Sequence, residues 1–256
     1  MTENLTDTNT SPGKRFDLSN IPNLFLRPRR VFESIAANGH PAWQTPLLIL
    51  SVTALLVVLV GGYFNARAAQ MGTSALPADF EYWTPEMQQN YFSAQQAMSG
   101  PTFVYVIPLV GAWISLWLGW LALGGLMHLA STLLGGRGSM SSALHVAAWA
   151  SLPFALRDVL RIVFMLVTQR AISSPGLAGF AADGSAFLTQ ILTHVDLFLV
   201  WQALLLMMGF FLADNLSKNK AILGVLIVLI LILLAWSGLG TLGASLGGTA
   251  IQRPFF

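Results

Sequence analysis

The chain has 256 residues, of which 55% are hydrophobic and only 9% charged, against roughly 25% charged in an average soluble domain. Mean hydropathy is +0.66. A water-soluble fold of this length cannot hide so much apolar surface, which excludes a cytosolic enzyme, a disordered tail and a coiled coil and points to a polytopic membrane protein. Cysteine is absent, so there is no disulfide framework, thiolate metal site or cysteine nucleophile. The formal charge of +2 says less than where the charges fall.

Residues 1–20 are polar, without periodicity, and read as a disordered cytoplasmic tail with no apolar signal-peptide core. A short helix is predicted from Pro28, a favourable first position, to the stop at Asn38-Gly39. Val31, Phe32 and Ile35 share one of its faces, and Arg27, Arg29 and Arg30 stand at its start. That is an amphipathic interfacial helix whose basic residues suit an anionic membrane surface.

Five apolar stretches follow, forming with this helix one membrane domain over 21–251. They are placed at about 43–64, 101–134, 143–167, 187–212 and 221–242, each long enough to cross a hydrocarbon core of about 30 Å. The second has 34 residues without a charge, too long for one upright span, so tilting, a kink near Pro108 or protrusion is expected. The fold class is therefore all-α: a bundle of five transmembrane helices with an N-terminal interfacial helix. With the N-terminus inside, the inner segments hold Lys14, Arg15, Arg27, Arg29, Arg30, Arg137, Lys218 and Lys220, and the outer ones only Arg67, Arg170 and Arg253. The positive-inside rule thus puts the N-terminus in the cytoplasm and the C-terminus outside. In the outer loop, 67–100, Thr84-Pro85-Glu86 is a helix start. Met87, Tyr91, Ala94 and Met98 then mark one face, suited to the outer leaflet, a partner or the chain's own spans.

Catalytic motifs fail on context. Gly238-Leu239-Gly240-Thr241-Leu242-Gly243 matches a dinucleotide fingerprint without the strand it requires. Gly243-Ala244-Ser245-Leu246-Gly247 matches a nucleophile elbow without the strand-turn-helix it requires. Gly240, Ala244 and Gly248 recur every fourth residue, as do Gly111, Ser115 and Gly119. Small residues at this spacing let helices approach closely in lipid, so both sets read as packing seams. Trp113, Trp117 and Trp120 form a bulky stripe on another face. His40, His128, His145 and His194 are scattered, and no metal-ligand or cofactor motif is present.

The most informative residues are charges inside apolar stretches: Arg157, Asp158 and Arg161 in the third, Asp196 in the fourth. Each costs at least about 2.5–3.5 kcal/mol near mid-bilayer unless it meets a partner or water. At 1.5 Å per residue, Arg157 lies roughly 15 Å and Arg161 roughly 9 Å below the outer end of their span, and Asp196 roughly 14 Å below the outer start of its own. The depths match across antiparallel neighbours, so Asp196 is expected to pair with Arg157 or Arg161. Asp158 is left for the other arginine, water or another helix.

Three segments carry a family resemblance. Leu26-Arg27-Pro28-Arg29-Arg30-Val31-Phe32 is followed by Trp43-Gln44-Thr45-Pro46-Leu47. Gly135-Gly136-Arg137-Gly138-Ser139-Met140 is followed by His145-Val146-Ala147-Ala148-Trp149-Ala150-Ser151-Leu152-Pro153. Asn215-Leu216-Ser217-Lys218-Asn219-Lys220-Ala221 is a short basic loop before the last span. Together they resemble the Yip (Ypt-interacting protein) family of five-pass membrane proteins over about residues 20–236. The resemblance implies no catalysis and no cofactor. It implies a membrane adaptor or accessory protein that binds other integral membrane proteins, with an ABC-type exporter among the candidates. Expected surroundings are the lipid bilayer of a prokaryotic plasma (inner) membrane and, as a further option, a second copy of the chain, with no nucleic acid. The rival reading is a transporter or permease subunit whose charged cluster lines a substrate path. An intramembrane hydrolase acting through Ser245 is a third.

Overall fold

The computed structural model describes residues 16, 18–37, 42–70, 76, 79–181 and 185–246. Every regular element among them is helical. Two short helices, α1 (Asn20–Leu26) and α2 (Pro28–Ala36), precede α3 (Gln44–Gln70) and α4 (Pro85–Met98). A π turn over Thr102–Val106 opens α5 (Ile107–Leu133). Then come α6 (Met140–Ala150), α7 (Pro153–Thr168), α8 (Ala186–His194), α9 (Leu197–Ala213) and α10 (Lys218–Leu246).

The long elements form five columns: α3, α5, α6–α7, α8–α9 and α10. Side-chain contacts fix their directions. Thr53 meets Asp158 and Arg67 meets Gln169, so α3 and α7 run parallel. Gln202 meets Ser151 and Asp196 meets Arg157, so α9 runs against α6–α7. Gly119 faces Trp236 and Gly224 faces Leu134, so α5 and α10 are antiparallel. Gly62 meets Tyr105 and Trp43 meets Trp120, so α5 runs against α3, and direction alternates from each column to the next in chain order.

Three columns are long and apolar enough to cross a membrane: α3, α5 with its π turn, and α10. The α8–α9 pair makes a fourth if its two helices, bent by 61°, form one span. This differs from the five continuous spans expected from hydropathy. The stretch expected at 143–167 breaks at Ser151-Leu152, because Pro153 has no N–H to return to the carbonyl of Trp149. The chain crosses the break on three-residue turns, Leu152 N to Trp149 O (3.2 Å) and Phe154 N to Ser151 O (3.0 Å). Beyond it, α7 has only 16 residues, three of them charged. In the second stretch a π turn stands just before Pro108. The proline leaves the Val104 carbonyl without its usual donor, and the π turn widens the helix there.

The core lies where α2, α5, α6 and α9 meet. Val146, Ala147, Ala148, Trp149 and Ala150 of α6 are fully buried, as are Phe32, Leu206 and Phe210. Gly209 makes this packing feasible: a methyl there would collide with Val146 Cγ1 and stand 3.1 Å from Phe32 Cδ1. The apolar face of the amphipathic N-terminal helix is covered by the protein itself. Val31, Phe32 and Ile35 pack on α6 and α9 instead of facing lipid. Arg27, Arg29 and Arg30 remain exposed, and Arg29 pairs with Glu33 at 2.7 Å. Residues 1–15 and 17 of the expected tail lie outside the described residues, and Asn20 already belongs to α1.

The expected seams are only partly occupied. Gly119 lies 3.9 Å, measured from an added Cβ, from Trp236, and Gly240 lies 3.0 Å from Gln190 Oε1. Gly111 and Ser115 are half-buried. The Ala244 side chain and Gly248 lie outside what is described. Closer approaches between helices fall elsewhere. Besides Gly209, Gly62 sits against Tyr105 and Gly124 against Leu144. The tryptophan stripe also divides. Trp120 stacks on Trp43 at 5.0 Å and Trp117 meets Trp43 edge-on at 6.4 Å, whereas Trp113 is exposed.

At the α3–α5 connection, Thr84 caps α4 by accepting from the N–H of Met87 at 3.3 Å. Phe80, Trp83, Tyr91 and Phe92 form a local aromatic cluster with centroid separations of 5.4–5.8 Å.

Candidate functional site: a charge cluster at a broken helix

Of the four charged residues singled out in the apolar stretches, Arg157, Asp158 and Asp196 converge on the junction between α8 and α9, with Arg161 beside them. There the backbone leaves the helical region for two residues. Val195 and Asp196 are both extended, and Asp196 acts as N-cap of α9: its Oδ1 accepts from Leu199 N at 2.9 Å. A cap inside an apolar segment satisfies one of the donors left free at the start of α9.

The carbonyls freed at the end of α8 also find partners. Leu177 N donates to Leu192 O (2.8 Å) and to Val195 O (3.2 Å), so the 171–181 loop inserts its backbone into the gap. Gly176 makes that approach at φ +62°, and a Cβ there would stand 2.6 Å from Leu192 O. Irregular backbone among apolar helices is stable only when other protein groups satisfy it.

Asp196 Oδ2 lies 3.3 Å from Arg157 Nη1, and Asp158 Oδ1 lies 3.7 Å from Arg157 Nε. One guanidinium therefore serves two carboxylates. It also stands 4.4 Å from the Phe154 ring centroid, a cation–π position. Asp158 is buried and accepts from Thr53 Oγ1 of α3 at 3.2 Å. Arg161, one turn further along α7, is half-buried; among the described residues it has no hydrogen bond and no carboxylate within 4 Å. The structure thus brings Arg157, Asp158 and Asp196 together and leaves Arg161 beside them without a direct partner.

Sequence reasoning did not single out Thr53 or Gln202. Thr53 carries no local signal, since a threonine in an apolar helix usually returns its hydroxyl to its own backbone, as Thr53 also does to Leu50 O. Gln202 did carry a signal, as the one amide in an otherwise apolar helix. It donates to Ser151 Oγ at 2.8 Å, tying α9 to the α6–α7 break. Of the histidines, His145 Nδ1 lies 2.6 Å from Ser141 O and His194 Nδ1 lies 2.9 Å from Gln190 O. His128 Nδ1 is buried without a hydrogen bond, and His40 lies outside the described residues.

An all-α chain with several helices long and apolar enough to cross a membrane, and a small paired charge cluster among them, defines a multi-pass integral membrane protein. The chain matches the Yip1 domain over residues 23–239 and belongs to the Yip family. No curated protein and no solved structure gives a significant match.

Proposed function

We propose that the protein is a non-enzymatic membrane adaptor that binds other integral membrane proteins along α5. The observation that carries this reading is the surface of α5 and of the π turn that opens it. Val106, Ile107, Val110, Trp113, Ile114, Leu118 and Leu121 are all exposed. They recur three and four residues apart, a continuous apolar stripe along one helix, with Gly111 and Ser115 beside it to admit a second helix closely. Only 11% of the most apolar window of α5 is buried, against 33% for α3 and 28% for α10. The charge cluster, mostly satisfied from within, fits a device that sets helix register better than a conduit.

In this reading the alternating columns make five crossings, with α6–α7 as the third. The N-terminus lies on the cytoplasmic side of a plasma membrane, as the arginine and lysine distribution favours. The partner is another integral membrane protein, with an ABC-type exporter as one candidate class. Photo-crosslinking groups at Ile114 and Leu118, followed by purification in mild detergent, test it. A discrete protein adduct, lost when Gly111 and Ser115 are both changed to Leu, supports the adaptor. Adducts to lipid alone refute it.

One observation favours a second reading. A guanidinium without a carboxylate of its own, Arg161, is suited to an anion passing the cluster, as in a permease subunit. Anion flux into liposomes that is abolished by Arg161→Gln but not by the α5 changes would establish this reading over the first.

A further inference from the structure

Away from the charge cluster, where the loop of residues 134–139 meets the end of α9, lies a second polar knot that the adaptor reading does not use. Asp214 follows α9 and is 1% exposed. The Ser131 hydroxyl is the hydrogen-bonding group beside its carboxylate, but no well-formed hydrogen bond closes on either oxygen. Ser131 Oγ and His128 Nδ1, one turn apart on α5, are buried and unbonded as well. The loop closes over this knot. Arg137 N donates to the Asp214 carbonyl (3.0 Å) and Gly136 N to the Ser131 carbonyl (2.8 Å). Glycine is required at both contacts: a methyl at Gly138 would strike Asp214 Oδ1, and one at Gly136 would strike Ser131 Oγ. Lys220 Nζ holds the loop's first carbonyl, that of Leu134, at 2.7 Å.

A carboxylate can only accept hydrogen bonds, whereas a carboxylic acid has an O–H to give. A buried, unpaired carboxylate costs several kcal/mol. A metal ion would need several ligands at roughly 2.0–2.6 Å, but the backbone of Gly138 already lies against Oδ1. The cation that fits is a proton, with the acid O–H directed toward the neighbouring Ser131 hydroxyl. Burial pushes the Asp214 carboxyl above its usual range, while the Ser131 hydroxyl and His128 pull the other way. The other ionisable groups around the knot are cations or are held elsewhere. Arg137 in the loop and Lys218 and Lys220 on α10 are exposed at the rim. On α6, His145 is held by Ser141 O. On α2, Arg30 is exposed and Arg29 pairs with Glu33. Between its cap residue and Ala213, α9 has no ionisable side chain.

We propose that Asp214 is a proton-operated clasp: as the neutral acid it lets the 134–139 loop stay shut over it against α5 and α9, and on ionising it forces that loop open so that water reaches the carboxylate. Release uncovers Leu216, which is 6% exposed and lies 3.3 Å from an added Cβ at Gly136.

The chain has no native cysteine, so single thiols report cleanly. Leu216→Cys is the probe, and exposed Ser217→Cys is the reference for the pH dependence of the reagent. The labelling ratio of the two, with a water-soluble maleimide, should rise with pH by about tenfold per unit between the ordinary carboxylate value near 3.9 and the raised one. In Asp214→Asn, which stays neutral, the ratio should be flat. An equal rise in Asp214→Asn, or no rise with Asp214 intact, overturns the proposal. Hydrogen exchange at the Gly136 and Arg137 amides of the unaltered chain, corrected for intrinsic rates, gives an independent readout. Protection that falls over the same pH range supports the clasp, and constant protection overturns it.

Discussion

Arg157 is the side chain on which the cluster turns, and removing its charge gives the sharpest test. Its contacts at 3.3 Å and 3.7 Å correspond to attractions of about 5 and about 4.5 kcal/mol at an effective dielectric constant near 20, before desolvation is counted. The net cost of taking away one partner of a buried pair is smaller, about 3–5 kcal/mol, because the desolvation of the removed charge is recovered; what remains is the cost of the partners left stranded. Arg157→Gln strands two at once, Asp158 and Asp196. For a chain of this size the loss should lower the apparent Tm by roughly 6–20 °C. Asp196→Asn should cost much less, because asparagine still caps Leu199 N and Arg157 keeps Asp158. The double variant Arg157→Gln/Asp196→Asn should therefore recover part of the loss, an interaction that a double-mutant cycle measures directly. Arg161→Gln is the internal control, since no direct partner is lost. The assay is thermal unfolding in lipid nanodiscs, followed by tryptophan fluorescence. If Arg157→Gln proves no less stable than Arg161→Gln, the shared-cation account is wrong.

Gly209→Ala should loosen α2 from α6 and α9 by overpacking, at about 1–3 kcal/mol, and limited proteolysis should then cut between α2 and α3 sooner. Gln202→Leu should cost roughly 0.6–1.7 kcal/mol, the range for hydrogen bonds between membrane helices; a larger loss would mean that Ser151 and the α6–α7 break depend on it more than one bond allows. Gly176→Ala, at a left-handed backbone position pressed against the end of α8, should destabilise by about 1–3 kcal/mol, visible as faster exchange of the Leu177 amide. Asp214 should make stability depend on pH. Because its folded-state carboxyl is raised, the folded chain keeps a proton that the unfolded chain has lost. Stability should then fall as pH rises from about 3.9 to the raised value and stay level above it. Asp214→Asn should accordingly be more stable than the parent at neutral to alkaline pH, with the gap closing as the pH approaches 4; a constant gap across the range contradicts this.

Much of this architecture is written in local features of the chain. Residue composition alone marks lipid as the solvent. Apolar stretches of sufficient length locate the columns, because a helix in lipid must satisfy its backbone internally and needs a minimum length to cross. Pro28 and the spacing of Val31, Phe32 and Ile35 marked α2, and Thr84-Pro85 marked α4, since caps and periodicity act over one or two turns. Arg157, Asp158, Arg161 and Asp196 stood out for the same reason: ionised groups are rare in apolar helices and costly without company. What company they keep is not a local property. Arg157 reaches a carboxylate 39 positions away, and Asp158 reaches a threonine 105 positions away. The break at Val195-Asp196 has no proline or glycine to announce it and exists because the distant Gly176-Leu177 backbone satisfies the exposed carbonyls. Which face of α2 meets protein rather than headgroups, which single glycines admit a neighbour, and the burial of Asp214 were likewise settled by packing, because each depends on atoms brought together from columns far apart in the chain.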